Sequence, residues 1–193
     1  MKVLAGPRLD LDGDPLVGAD QLAAAMCRRL AGEGGTVVSL AALGLNNPYR
    51  ALSAAEVEAL RGALRDERGV VGYVCRGASA PGGRAGWVAV TDHANLTWRS
   101  PLVGPNDERV GPRFASLAGV YAPEAALTLG VEQDGIIVAP GVVAGVADDR
   151  AMSDYETDMV ARLGPAAVSS ELVAPVIVAA HMGLRVAAVV MTV

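Results

Sequence analysis

The sequence predicts a single α/β domain over residues 1–193, with a mixed, mostly parallel sheet flanked by helices. Segments typical of buried strands alternate with segments typical of helices, as in proteins whose strands are joined by crossover helices. The length of 193 residues suits one domain with its own core. A composition of 52% hydrophobic and 19% charged residues is that of a folded globular protein.

In the amino-terminal half, short apolar or β-branched runs predict the strands. The runs at 70–75 and 87–91 are apolar throughout, which is typical of strands buried on both faces. An Ala-rich helix is stopped by a cluster of glycines, and Ser53 with Glu56 has the spacing of a capping box at the start of a second helix. The predicted elements are strand 1–5, helix 19–30, strand 36–40, helix 53–67, strand 70–75 and strand 87–91.

The carboxy-terminal half continues the alternation. A polar-faced helix is predicted after a short strand, and Pro175 stands in the first turn of a second helix, where its missing N–H costs nothing. The predicted elements are strand 136–139, helix 154–163, strand 166–169, helix 173–182 and strand 184–192.

Charge and residue usage narrow the classes of partner. A net charge of -5 disfavours an electrostatic hold on nucleic acid or on a membrane surface, so we expect small molecules or proteins as partners. No apolar run approaches the ~20 residues of a membrane span, and the amino-terminal apolar run is too short for a signal peptide, so we expect a cytoplasmic protein. Cys27 and Cys75 are expected to be buried, reduced thiols. The sequence has no phosphate-binding P-loop, no dinucleotide pattern and no zinc spacing around its two histidines, so no cofactor and no metal are predicted.

Two stretches carry a family resemblance. Residues 91–114 read TDHANLTWRSPLVGPNDERVGPRF, and residues 162–186 contain LGPAAV followed by VIVAAHMGLRV. They resemble the purine nucleoside phosphorylase and methylthioadenosine phosphorylase family, whose members carry DHxNL, GPNDERxGxRF, LGADAVGMS and VIVARHxGLRV in that order. The resemblance implies this family's fold and its homotrimer. Because the sequence ends at Val193, we expect a shortened, divergent member that lacks the family's C-terminal helix.

The same resemblance implies that the phosphate site is lost. Family members hold phosphate with two serines, an Arg and a His. Here Pro7 aligns with the first serine and Glu171 with the second, while residues 41–47 contain neither the Arg nor the His. A carboxylate beside phosphate is repulsive, by roughly 1 kcal/mol at ~4 Å even in water. Glu171 and Arg76 are therefore the predicted catalytic residues. Arg76 either pairs with Glu171 or points to solvent.

Further residues complete the predicted ligand pocket. Met152 aligns near the family's base-recognising Glu, with Glu156 one helical turn further on as the alternative. Phe114 aligns with a Phe that family members donate to the neighbouring subunit. We add Ser170, Tyr49 and His93 to this pocket, although the motif position of His93 is structural in the family.

Three functions remain open from the sequence. The first is a repurposed enzyme, set in small-molecule biosynthesis, that uses Glu171 in acid–base chemistry without phosphate. The second is a non-catalytic homologue that binds a ligand or assembles with a complete paralogue. The third is a weak purine nucleoside phosphorylase or hydrolase.

Overall fold

The computed structural model describes residues 1–9, 18–81, 83, 86–128 and 138–192, which form an α/β domain. The strands are β1 (Lys2–Ala5), β2 (Thr36–Ser39), β3 (Val70–Ser79), β4 (Gly86–Asn95), β5 (Val138–Gly145), β6 (Ala167–Ser169) and β7 (Arg185–Thr192). The helices are α1 (Gly18–Ala31), α2 (Ala54–Leu64), α3 (Pro123–Leu127), α4 (Asp154–Leu163) and α5 (Val173–His181).

The seven strands form one mixed sheet in the order β2-β1-β3-β6-β5-β4-β7, and β7 also pairs with β3. Parallel pairing joins β1 to β2 and β3, β3 to β7, and β5 to β4 and β6. Antiparallel pairing joins β3 to β6 and β4 to β7. The strands β3, β7, β4, β5 and β6 therefore form a closed ring, which β1 and β2 extend on one side.

Helices cover the sheet and bury its apolar side chains. On one side, α2 and α5 enclose a core that includes Leu60, Leu64 and Val176. On the other, α1 packs Met26 and Cys27 against β1 and β3. Burial of such side chains provides most of the driving force for folding. Among the described residues, no helix is long and apolar enough to cross a membrane.

The predicted elements agree with the observed ones apart from their ends. The capping box at Ser53 is present, with both reciprocal hydrogen bonds, and α4 has its predicted bounds. The structure extends β3, β4 and β5 beyond the predicted strands and adds the short helix α3, which no sequence signal had indicated. Residues 136 and 137 of the predicted strand 136–139 lie outside the described residues.

Candidate functional site

The candidate site lies where the chain leaves β1, β5 and β6, with β3 between β1 and β6 in the sheet. Gly6, Pro7 and Arg8 follow β1, Ser170 and Glu171 follow β6, and Asp149 lies in the loop after β5. These strands end near Arg76 of β3, whose carbonyl oxygen accepts hydrogen bonds from Arg8 Nη2 at 3.1 Å and from the Ser169 hydroxyl at 2.7 Å. The sheet thus brings residues that are up to 163 positions apart in sequence into one cluster.

Arg8 is the centre of this cluster. Its Nε donates to Glu171 Oε1, and its two terminal nitrogens donate to the Asp149 carboxylate at 3.0 and 2.6 Å. The side chains of Asp149 and Glu171 are 1% and 0% exposed. Charge-assisted hydrogen bonds of this kind offset part of the cost of burying carboxylates. With all three groups ionised, the cluster has a net charge of -1.

The Glu171 carboxylate is packed tightly against the loop after β1. A Cβ added to Gly6 would collide with Glu171 Oε2 and with the Cys75 side chain, so only glycine fits at position 6. The backbone amide of Arg76 lies 3.5 Å from the same oxygen, and the Tyr73 hydroxyl donates to the Glu171 carbonyl at 3.0 Å. The carboxylate therefore occupies the space between the ends of β1, β3 and β6.

Burial and charge act in opposite directions on this carboxylate. Burial raises the pKa of Glu171 above its usual value, and the hydrogen-bonded charge of Arg8 lowers it, with a net rise. Burial alone would lower the pKa of Arg8, but its contacts with Asp149 and Glu171 outweigh that effect and raise it. Arg8 thus stays protonated, while the proton of Glu171 is held more tightly than in water.

Tyr49 covers the cluster on the solvent side. Its hydroxyl accepts a hydrogen bond from Arg8 at 3.2 Å, and the Arg150 guanidinium stacks on its ring, 3.8 Å from the ring centroid. Arg99 donates to the Tyr49 carbonyl at 3.0 Å. Cation–π and hydrogen-bonding contacts from three arginines therefore hold this loop over the site.

A small, mostly apolar cavity of about 50 Å³ adjoins the cluster. Glu171 and Ser170 form part of its wall, together with Pro7 and Tyr73. Loop residues 45–52 and the segment 97–101 close the other side. A buried carboxyl group with a raised pKa beside an apolar cavity is suited to proton transfer with a neutral ligand.

The seven predicted site residues do not all lie together. Glu171 and Ser170 line the cavity, and Tyr49 reaches the cluster through Arg8. The backbone of Arg76, rather than its guanidinium, makes the hydrogen bond to Glu171.

The other three predicted residues lie apart from the cluster. Met152 packs against a small core that includes Val146. His93 is 2.7 Å from the Tyr121 hydroxyl, and burial lowers the pKa of His93. Phe114 is 87% exposed and lines a second groove, which shares Ser100 with the wall of the cavity.

Two members of the cluster, Arg8 and Asp149, were not predicted from the sequence. Arg76 was the one cation expected near Glu171, and that expectation was wrong because Arg8 reaches back from the loop after β1. A signal was present: Arg8 is the third residue after the buried strand β1, in a loop, and loops are where functional side chains are often presented. Among the described residues, no group of three His, Cys, Asp or Glu side chains could hold a metal ion.

Comparison with known proteins places this geometry in a family. The sequence model of the Phosphorylase superfamily matches residues 27–193. The chain belongs to this superfamily. The expected likeness to purine nucleoside phosphorylases is confirmed by relatives such as purine nucleoside phosphorylase 1 of Bacillus subtilis (strain 168), which is 29% identical over 72% of this chain and 49% of its own length. Purine nucleoside phosphorylase 1 of Geobacillus stearothermophilus is 33% identical over 50% of this chain and 36% of its own. The chain thus spans about half the length of the Bacillus relative, or less for other relatives.

Solved structures support the same fold. Isoform 2 of purine nucleoside phosphorylase from Schistosoma mansoni, in complex with cytosine and ribose-1-phosphate, superposes with a TM-score of 0.67 at 20% identity, over 99% of this chain and 75% of that one. A Schistosoma purine nucleoside phosphorylase in complex with guanosine gives 0.63 at 23% identity, over 71% and 53% of the two chains. The predicted α/β class is therefore confirmed.

Proposed function

We propose that this protein is a phosphorylase-fold enzyme whose phosphate site is closed by its own carboxylate, and that it acts on a small neutral molecule without phosphate. One observation carries the proposal: Glu171 fills the space beside Gly6 and is held there by Arg8. The resemblance to the family aligns this position with a serine that binds phosphate. An internal anion therefore stands where an external one would bind.

The energies favour exclusion of phosphate. Millimolar affinity corresponds to about -4 kcal/mol. Repulsion from a carboxylate ~4 Å away is worth roughly 1 kcal/mol in water and about 4 kcal/mol at the effective dielectric constant of a protein surface. When Asp149 and Glu171 are both ionised, the cluster has an excess of one negative charge, and this repulsion is then enough to cancel ordinary phosphate binding.

Glu171 is also the best candidate for chemistry. Its position in the cavity wall and its raised pKa suit a group that transfers a proton to or from a neutral ligand. We place the protein in cytoplasmic small-molecule biosynthesis and as a homotrimer. The exposed Phe114 supports self-association, because it aligns with a Phe that family members donate to the neighbouring subunit and is 87% exposed in this chain.

The test measures phosphate binding and turnover separately. We expect calorimetry to detect no binding of inorganic phosphate at millimolar concentration. With inosine or guanosine as probe, base release followed by chromatography should be the same with and without phosphate, and Glu171→Gln should abolish it. The exposed Glu33→Gln variant is the matched control. Phosphate-dependent release of the base by the wild type would overturn the proposal and support a retained phosphorylase.

A second candidate is a non-catalytic ligand-binding homologue. It is favoured by the fact that Arg8 donates to both carboxylates, as in a structural ion-pair cluster. This alternative predicts that a purine nucleoside raises the melting temperature while neither its base nor any other product is released.

A further inference from the structure

The cavity beside Glu171 is too small for a ligand of nucleoside size. Its volume is about 50 Å³, whereas pockets that hold small molecules usually measure roughly 300–1,000 Å³. Glu171 is part of its wall, and the Glu171 side chain is 0% exposed, so solvent does not reach the carboxyl group directly. A ligand can therefore reach Glu171 only after part of the cavity wall moves.

Residues 46–52 are the part of that wall with the fewest backbone restraints, and we call them the lid. The chain is fixed on either side of the lid, because Leu45 is buried and Ser53 caps α2. Between these two points there is no helix or strand, and among the described residues no backbone–backbone hydrogen bond involves the lid. Such a segment can open locally while the rest of the fold stays intact. The lid residues in the cavity wall are Asn47, Pro48, Arg50, Ala51 and Leu52.

The facing segment, residues 97–101, is held more firmly. The Asn95 side chain accepts a hydrogen bond from the Thr97 amide and donates one to the Arg99 carbonyl, both at 3.1 Å. The Thr97 hydroxyl accepts in turn from the Arg99 amide, also at 3.1 Å. These local bonds fix the turn after β4, so this side of the cavity is a firm rim against which the lid closes.

Tyr49 joins the lid to three loops of the body. Its hydroxyl accepts from Arg8, after β1, at 3.2 Å, and its carbonyl accepts from Arg99, after β4, at 3.0 Å. Its ring lies 3.8 Å from the guanidinium of Arg150, after β5. A further contact of the lid, the ion pair of Arg50 with Glu56, reaches α2 next to the end of the lid and does not cross the cavity.

We infer that residues 46–52 open to admit the ligand and that Tyr49 holds them closed. Arg8 donates to the Tyr49 hydroxyl and to Glu171, so one guanidinium holds both the lid and the carboxyl group in place. Closure keeps water away from Glu171, which strengthens the charge interactions there. The inference rests on the proposed function, because the cavity must admit a ligand, but its test requires no turnover.

Limited proteolysis of the full chain measures opening of the lid. Trypsin cuts after arginine, and Arg50 lies in the lid, so the rate of cleavage after Arg50 follows the population of open molecules. Tyr49→Ala removes the ring and the hydroxyl and should raise that rate roughly tenfold. Tyr49→Phe keeps the ring against Arg150 and should raise it less. Cleavage after the exposed Arg109 should not change, and Tyr155→Ala, at an exposed position on α4, is the matched control.

Thiol labelling measures access to the cavity itself. Val173 lines the cavity and is 4% exposed, whereas Val176, on the same helix, is buried in the core. Val173→Cys and Val176→Cys introduce reporters of similar size, and the native Cys27 and Cys75 are buried. With a small uncharged thiol reagent, Tyr49→Ala should speed labelling at position 173 roughly tenfold and leave labelling at position 176 unchanged. Mass spectrometry identifies the labelled position.

The outcomes separate the lid from the chemistry. Unchanged cleavage after Arg50 and unchanged labelling at position 173 in Tyr49→Ala, with an intact fold by circular dichroism, overturn the inference. Faster cleavage without faster labelling also overturns it, because the segment then moves without opening the cavity. If cleavage after Arg109 rises as well, the ratio of the two cleavage rates in Tyr49→Phe decides, and a ratio equal to that of the wild type counts against the lid. A failure to release base from inosine overturns the proposed function alone, since neither rate depends on it.

Discussion

The Arg8 guanidinium balances two carboxylates whose side chains are almost fully buried, so its removal should destabilise the fold. In Arg8→Met, Asp149 and Glu171 would remain 1% and 0% exposed without their shared partner. Breaking a buried pair in this way costs about 3–5 kcal/mol. Because Arg8 itself is 21% exposed and solvent can partly replace it, we expect about 3 kcal/mol. For a chain of this length that lowers Tm by roughly 6–12 °C.

The assay is urea denaturation at pH 7, at fixed protein concentration, followed by fluorescence of the buried Trp87. Arg28→Met removes an exposed arginine from α1 and should change the free energy of unfolding by less than about 0.5 kcal/mol. Arg8→Met combined with Glu171→Gln should recover part of the loss, because one of the two orphaned charges is then absent. A loss below about 1 kcal/mol in Arg8→Met would refute the view that this cluster is a buried, coupled unit.

The pH dependence gives an independent check of the same reasoning. Burial raises the pKa of Glu171 above its ordinary 4.5, so the folded state binds this proton more tightly than the unfolded state. Its contribution to stability therefore falls as the pH rises from about 4.5 through the folded-state pKa. Without Arg8 that pKa rises further, so the destabilisation in Arg8→Met should be smaller at pH 5 than at pH 8.

Two further predictions concern charge. Glu171→Ser changes the formal charge of the cluster from -1 to 0, and adding Asp149→Asn makes it +1. Calorimetry should therefore detect millimolar phosphate binding only in the double variant. Equal binding by the single variant would contradict the charge argument. At the start of α2, the hydrogen bond from Arg50 lowers the pKa of Glu56 to about 2. The ionised Glu56 carboxylate therefore stabilises the fold above pH 4.5, and this stabilisation is lost as the pH falls toward 2. Glu56→Gln should cost roughly 1 kcal/mol at pH 7 and flatten that acid loss in urea titrations, whereas an unchanged acid profile would show that the Arg50 contact adds no stability.

Local signals predicted most elements of the fold. The capping boxes at Ser53 and Ser153 and the glycine after Leu163 fix helix ends through contacts within a few residues, which a sequence pattern contains. Strand ends were less predictable. Residues 76–79 look like the start of a turn, yet Ala78 and Ser79 pair with β6 after a long excursion of the chain, and no nearby residue indicates that partner.

The candidate site, too, was predicted from the sequence only in part. The prediction of Glu171 as a site residue rested on a motif whose flanks align well, and in the structure Glu171 is buried. The contact of Arg8 with Asp149 depends on where two loops end in space, which spacing along the sequence does not describe.

The tautomer of His181 also depends on contacts that spacing along the sequence does not describe. Arg61 can only donate, so Nδ1 of His181 accepts and Nε2 donates to Asn106, and burial with the Arg61 charge lowers the pKa of His181.

The buried position of Glu171 depends on several other residues at once. A longer, charged side chain at position 171 needs space, which exists because residue 6 has no Cβ. It also needs a counter-charge, which Arg8 provides, and Arg8 in turn is held by Asp149 and by the carbonyl of Arg76. A change at position 6, 8 or 149 alone would leave a buried charge without a partner or a collision in the core, at a cost of several kcal/mol. Glu171 should therefore behave as one member of a coupled unit, in which the effect of each change depends on the residue present at the other positions.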